Sequence, residues 1–223
     1  MNPITSSFAR DTSKSLSPRP SFVYRLVSYL LVFPVFRILF RGRTYGISNV
    51  PFDCPLVVVA NHGSHLDPPL LGHALGRPVA FMAKAELFGI PLIGQIIRMC
   101  GAYPVKRGSS DREAIRTATS LLNEGWAIGV FLDGSRQADG RVNNPLSGAA
   151  LLAARSGACL LPVAIVNSHK ALSRGSFFLR LIPIRLCIGP PISPPISRRK
   201  IDLESTTNEL KESINLMLDR GKF

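Results

Sequence analysis

No two of the four cysteines lie close together: Cys54, Cys100, Cys159 and Cys187 are scattered through apolar contexts and never form a CxxC pair. That excludes the common paired-cysteine zinc and redox motifs and suits a reduced, cytosol-facing protein. The chain is also short of acid, with 14 Asp and Glu against 27 Lys and Arg and a formal net charge of +13. Such a surface attracts polyanions. Nucleic acid is a poor match, because the late basic cluster Arg198, Arg199 and Lys200 has no aromatic neighbour on which a base could stack. An anionic bilayer or a phosphorylated substrate fits better.

A spanning segment is missing as well. The uncharged stretch Leu26–Phe36 is bracketed by Arg25 and Arg37 and carries Pro34, whereas a bilayer helix needs about 20 apolar residues. A secretory signal would end in small residues, not in Arg37, Arg41 and Arg43. Residues 21–43 therefore read as a membrane-associating segment that lies in the interface, with a core helix as the plainer alternative. Residues 1–20, rich in Ser, Pro, Arg and Lys, read as a flexible leader, and a plastid-type transit peptide is a further possible reading. The remainder, residues 44–223, is long enough for one substantial core.

What is present is a series of short apolar runs separated by helical stretches, the pattern of an α/β domain with a parallel or mixed central sheet flanked by helices. Strands are expected at Leu56–Ala60, Val79–Ala83, Ala102–Val105, Ala127–Leu132, Leu160–Val166 and Ile184–Ile188. Helices are expected at Asp111–Asn123, Ser147–Arg155 and Leu203–Leu218. Pro162, lacking an N–H, predicts an edge position or a strand start for its run. No internal repeat appears.

The polar block Asn61-His62-Gly63-Ser64-His65-Leu66-Asp67-Pro68-Pro69 follows the most apolar strand. Ligands of open α/β sheets bind outside the carboxyl ends of strands, so His62 is placed to meet a substrate. A neutral imidazole there can take a hydroxyl proton while Asp67 fixes its tautomer from the other nitrogen. Asp followed by Pro is equally a helix start that needs no catalysis. A metal site on His62, His65 and Asp67 lacks further ligands in the neighbouring sequence, and His73 and His169 stand alone. Ser64 as nucleophile lacks the GxSxG elbow.

Two further blocks end in cations. Lys84 follows one strand and Arg107 the next, where both can converge on a phosphate, with Lys106 read as solvated. In Phe131-Leu132-Asp133-Gly134-Ser135-Arg136 a strand ends in an acid, a turn glycine and an arginine, a second anion-binding pattern.

Taken in this order over roughly residues 40–195, the blocks resemble the glycerolipid acyltransferase family that includes lysophosphatidic acid acyltransferases. Its first block is a histidine and an aspartate separated by four residues, matched by His62 and Asp67, and the resemblance implies base and orienting partner. Its Lys-x-Glu-Leu-Phe block matches Lys84 to Phe88, with Arg107 at its end. The usual Phe-Pro-Glu-Gly-Thr-Arg is altered here, Asp133 standing for Glu, while Gly134 and Arg136 are kept. Leu161-Pro162-Val163 resembles the family's Val-Pro-Val block, and the lysine that many relatives place near Leu146 or Ser147 is absent.

The resemblance implies direct acyl transfer from acyl-CoA or acyl-ACP to a lysophospholipid, most simply 1-acylglycerol-3-phosphate. It implies no metal or organic cofactor, an acyl carrier protein as a possible partner, and a membrane at its cytoplasmic face or, alternatively, a plastid membrane. Asp133, Gly134, Lys84, Arg107 and Arg136 would then bind substrate. A membrane-surface protein with lost activity, or a lipid or thioester hydrolase on the same fold, are the rival readings.

Overall fold

Apolar runs too short for helices become the strands of one sheet. The computed structural model describes residues 22–105, 111–173, 175–176 and 178–221. The leader at residues 1–20, Lys106 and Arg107 lie outside the described residues. Within them, β1 (Arg43–Tyr45), β2 (Leu56–Ala60), β3 (Val79–Lys84), β4 (Tyr103–Val105), β5 (Ala127–Phe131), β6 (Cys159–Val166) and β7 (Arg185–Ile188) assemble in the order β1-β7-β6-β2-β5-β3-β4. Neighbours are parallel except β6 and β7. The chain is thus a single α/β domain with a mixed, mostly parallel sheet.

The central strand shows why the runs are continuous rather than alternating. Leu56, Val58 and Ala60 of β2 enter one core with α2 (Asp67–Ala74), while Val57 and Val59 enter a second core on the opposite face. The second core is closed by α4 (Asp111–Asn123), α5 (Gly148–Ser156) and α7 (Lys200–Arg220). A strand covered on both faces has no position at which a polar residue is cheap. The small residues Ala149, Ala150 and Ala153 let α5 approach β2 and β6 closely.

Pro162 corrects the sequence reading: it lies inside β6, which is flanked by β2 and β7, so it marks neither an edge nor a start. Its missing N–H costs no ladder bond because the β7 side bulges there. Val163 faces Ile188 while Leu160 pairs with Ile192, which leaves one extra residue opposite, and the carbonyl of Pro162 still accepts from Gly189 N. β1, three residues long and partly exposed, was not expected.

At the amino end, α1 (Phe22–Leu26) continues through two π-wound stretches, Val27–Val32 and Val35–Leu39, on either side of Pro34. A proline cannot donate to the preceding turn, and here the helix widens around it: Phe33 N bonds Ser28 O and Phe40 N bonds Val35 O. Val32, Phe36 and Phe40, spaced by four, are buried in the first core. Tyr29, Leu30 and Ile38 are exposed on the other side. One face of the segment is therefore core, as the plainer reading expected, and the other exposes apolar side chains to solvent. No helix among the described residues is long and apolar enough to cross a membrane.

Candidate active site

The carboxyl ends of the parallel strands β2, β3, β5 and β6 deliver the polar blocks to one rim of the sheet. After β2 the chain turns so that Asp67 opens α2, and its carboxylate reaches back to the residues just before it. Asp67 Oδ2 accepts from His62 Nδ1, Gly63 N and Ser64 N, each at 2.8 Å. Leu66 is the residue that caps α2, and no side chain caps the helix, so Asp67 serves the loop rather than its own helix. Pro68 and Pro69 lie in the first turn, where a missing N–H costs nothing.

With Nδ1 held by a fully buried carboxylate, the basic lone pair of a neutral His62 falls on Nε2. The ring lies flat on Phe131, with centroids 3.9 Å apart at 12°, and Phe131 stacks in turn near Phe81 at 5.8 Å. Gly129 makes that ladder possible, since a Cβ there would meet the Phe81 ring at 2.1 Å. The His62 side chain is 16% exposed, enough to meet a substrate while Asp67 and Phe131 fix its orientation.

The loop after β5 closes the same site. Gly134 turns at φ +64, and Asp133 binds inward, its two oxygens accepting from Asn144 N at 2.7 Å and Asn143 N at 3.3 Å. Gln137 N donates to His62 O at 2.7 Å, tying this loop to the histidine. His65 shows how the cations gather. Burial first, then the charges of Arg136, His62 and Lys84, hold its pKa below the ordinary value, so the neutral form is favoured at neutral pH. Lys84 and Arg136 thus act on the same neighbourhood as the His62–Asp67 pair.

Ser64 is buried, and its hydroxyl accepts from Leu66 N in a local turn, which is not the exposed setting of a nucleophile. Among the described residues no three His, Cys, Asp or Glu side chains cluster as metal ligands would.

Two residues at the site were named in the sequence but given no role there. His169, on the short α6 (Ser168–Ala171), fills a notch between Gly63 and Gly140, where a Cβ on either glycine would lie within 2.6 Å of it. Asn61, fully buried, donates to Gly140 O and Ile165 O and accepts from Ile165 N at 2.7–2.9 Å. It joins β2, the β5 loop and β6. Asn61→Ala leaves three backbone groups unpaired, so it should cost about 2–4 kcal/mol and lower Tm by roughly 5–15 °C. Calorimetry on the purified variant checks this, and an unchanged Tm would remove Asn61 from the frame.

An apolar cleft of about 360 Å³ opens beside His65 and runs between α1, α2 and β3. Its wall includes Val27, Val32, Phe81, Leu87 and Ile97.

Comparison with known proteins finds acyltransferases. The chloroplastic 1-acyl-sn-glycerol-3-phosphate acyltransferase LPAT1 of Arabidopsis thaliana is 30% identical over 199 residues, covering 87% of this chain and 54% of the relative. The Bacillus subtilis 1-acyl-sn-glycerol-3-phosphate acyltransferase is 31% identical over 152 residues, covering 67% of this chain and 73% of that protein. The chain spans about half the length of the plant chloroplastic relatives it matches. In fold it is similar to the lysophosphatidic acid acyltransferase PlsC of Thermotoga maritima, at a TM-score of 0.69 and 24% identity over 89% of this chain and 84% of that one. The sequence model of the acyltransferase family matches residues 41–166, which hold His62, Asp67, Lys84 and Arg136 and make up more than half of the chain. On that match, the chain belongs to the acyltransferase family.

Proposed function

We propose that the protein transfers an acyl chain from a thioester of coenzyme A or acyl carrier protein to the free hydroxyl of 1-acylglycerol-3-phosphate, giving phosphatidic acid and a free thiol. The observation that carries this reading is the 2.8 Å contact between His62 Nδ1 and buried Asp67 at the carboxyl end of β2, with Lys84 and Arg136 both acting on neighbouring His65. His62 Nε2 takes the hydroxyl proton as the oxygen attacks the thioester carbonyl. Asp67 steadies the imidazolium that forms. Collapse of the tetrahedral intermediate breaks the C–S bond, and the imidazolium returns its proton to the departing sulfur. All bonds and protons balance without a cofactor.

Lys84 and Arg136 are assigned to the acceptor's phosphate, with Gly134 giving it close approach and Asp133 shaping the loop. Arg107 is kept as a candidate third contact. The apolar cleft beside His65 suits an acyl tail, each buried methylene being worth about 0.8 kcal/mol. Incubating the protein with a panel of acyl thioesters and lyso-acceptors, with products identified by mass spectrometry, tests the assignment. Phosphatidic acid is expected, and release of free fatty acid independent of acceptor would make the protein a hydrolase.

The site would work at an anionic bilayer surface in a thiol-reducing compartment, at a cytoplasmic face or in a plastid. The exposed side of residues 22–40 supports the first point and the sequence-scattered cysteines without a CxxC pair the second. Deleting that segment would strip Val32, Phe36 and Phe40 from the core, so a surface change is the cleaner test. Leu30→Glu should weaken sedimentation with anionic vesicles about ten- to a hundredfold, the worth of one buried leucine. Undiminished sedimentation would place the membrane contact elsewhere.

A further inference from the structure

Beyond the amino-terminal segment, a second stretch of chain shows large apolar side chains to solvent. After β3 the backbone makes a 3-10 turn (Ala85–Gly89) and then α3 (Ile93–Met99). Leu87, Ile90, Leu92 and Ile96 are all exposed there, Leu92 by 68%. Four such residues within ten positions form a patch rather than isolated surface leucines.

The backbone under the patch is strained. Leu92 has φ 66 and ψ −52, the geometry of the rare γ-turn, which is costly for a side chain bearing a Cβ. Glycine would adopt it freely, and the chain places leucine there. Gly94, by contrast, is glycine of necessity, because a Cβ would meet Phe88 O at 2.4 Å. The turn is therefore tightly built and holds a leucine outward at its apex.

The position of the patch names its occupant. α3 packs against α1, and Tyr24 of α1 lines the same apolar cleft as Leu87 and Ile96 of the patch, so the patch and the amino-terminal helix meet at that cleft. Cations flank it: Arg25 and Arg98 are exposed, and Arg98 lies over the Phe88 ring at 5.4 Å. Glu86 is the one acid between Met82 and Val105. Apolar side chains at the centre with cations at the margin match a leaflet of anionic lipid, whose headgroups meet the cations while acyl chains meet the leucines.

We propose that residues 87–99 form a second bilayer-inserting element, with Leu92 at its tip, which together with the amino-terminal helix seats the cleft mouth on the membrane. A lipid acceptor then enters from the leaflet without crossing water. The proposal extends the bilayer reading above and is independent of turnover.

The test uses the full chain and vesicles of equimolar phosphatidylglycerol and phosphatidylcholine. In a Trp126→Phe background, Leu92→Trp carries the only tryptophan, and its emission should shift to the blue on adding vesicles and be quenched by lipids brominated on the acyl chain. Leu92→Gly should raise Tm by relieving the turn and yet lower vesicle affinity about tenfold, opposite signs that a purely structural leucine would not give. Unchanged emission with vesicles that sediment the protein would overturn the proposal while leaving the amino-terminal contact intact. A blue shift that grows with protein concentration in the absence of lipid would give the patch to a second copy of the chain and overturn it too. Lack of acyl transfer would sink the functional reading without touching the fluorescence result.

Discussion

His62→Ala should lower acyl transfer by about 10²–10⁴-fold, the usual worth of a positioned general base, at saturating acceptor and with little change in Tm. The ring makes one hydrogen bond and one stacking contact, on Asp67 and Phe131, so its removal leaves the loop otherwise held. Asp67 is different. Its Oδ2 also binds Gly63 N and Ser64 N in a fully buried setting. Asp67→Ala therefore unpairs two amides as well as the histidine, and loss of stability, at about 1–3 kcal/mol for each buried donor left unpaired, would confound a kinetic reading. Asp67→Asn keeps shape and an acceptor oxygen while removing the charge that stabilises the imidazolium, and is the variant to measure. Near-normal kcat in either His62→Ala or Asp67→Asn would refute the base assignment.

Arg136→Ala should raise KM for 1-acylglycerol-3-phosphate by about ten- to a hundredfold, because a charge-assisted hydrogen bond contributes roughly 1.5–3 kcal/mol. The effect should be selective. Any transfer to uncharged monoacylglycerol should change far less, and Arg136→Lys should recover only part of the loss, since an ammonium cannot reproduce a guanidinium's paired donors. Arg198, which lines a surface hollow with Ala154 and Ile196, is the control cation, and Arg198→Ala should leave both acceptors unaffected. Equal impairment of charged and uncharged acceptors would make Arg136 a brace of the β5 loop or a donor contact.

Much of this architecture was legible because burial on two faces writes itself as uninterrupted apolar sequence. The six expected strands all form, and the helix at Asp111–Asn123 has the bounds its amphipathic pattern predicts. The contact of His62 with Asp67 was legible too, since a five-residue offset across a strand-to-helix loop lets the carboxylate fold back. Features that depend on distant partners were not. β1 is set by pairing with β7 some 140 positions away and has no apolar run of its own. Pro162 misled because its neighbour bulges, a property of residues 189–191 rather than of its own strand.

Asn61 and the carboxyl-terminal helix make the same point. Asn61 bonds Ile165, and Asn215 of α7 satisfies both Val142 N and Val142 O, holding from outside the family-matched region the loop that carries Arg136. Side-chain amides of this kind leave no local pattern. The amino-terminal segment was ambiguous for a physical reason, since its inner face is core and its outer face is exposed and apolar, and composition alone averages the two.

The most direct measurement is the stoichiometry of the reaction itself. Purified protein, acyl-CoA and 1-acylglycerol-3-phosphate are mixed, and free thiol and phosphatidic acid are quantified together, for the unaltered chain and for His62→Ala. One phosphatidic acid per thiol released, with both lost in His62→Ala, is the predicted result. Thiol release without phosphatidic acid, or undiminished formation of both by His62→Ala, would contradict it.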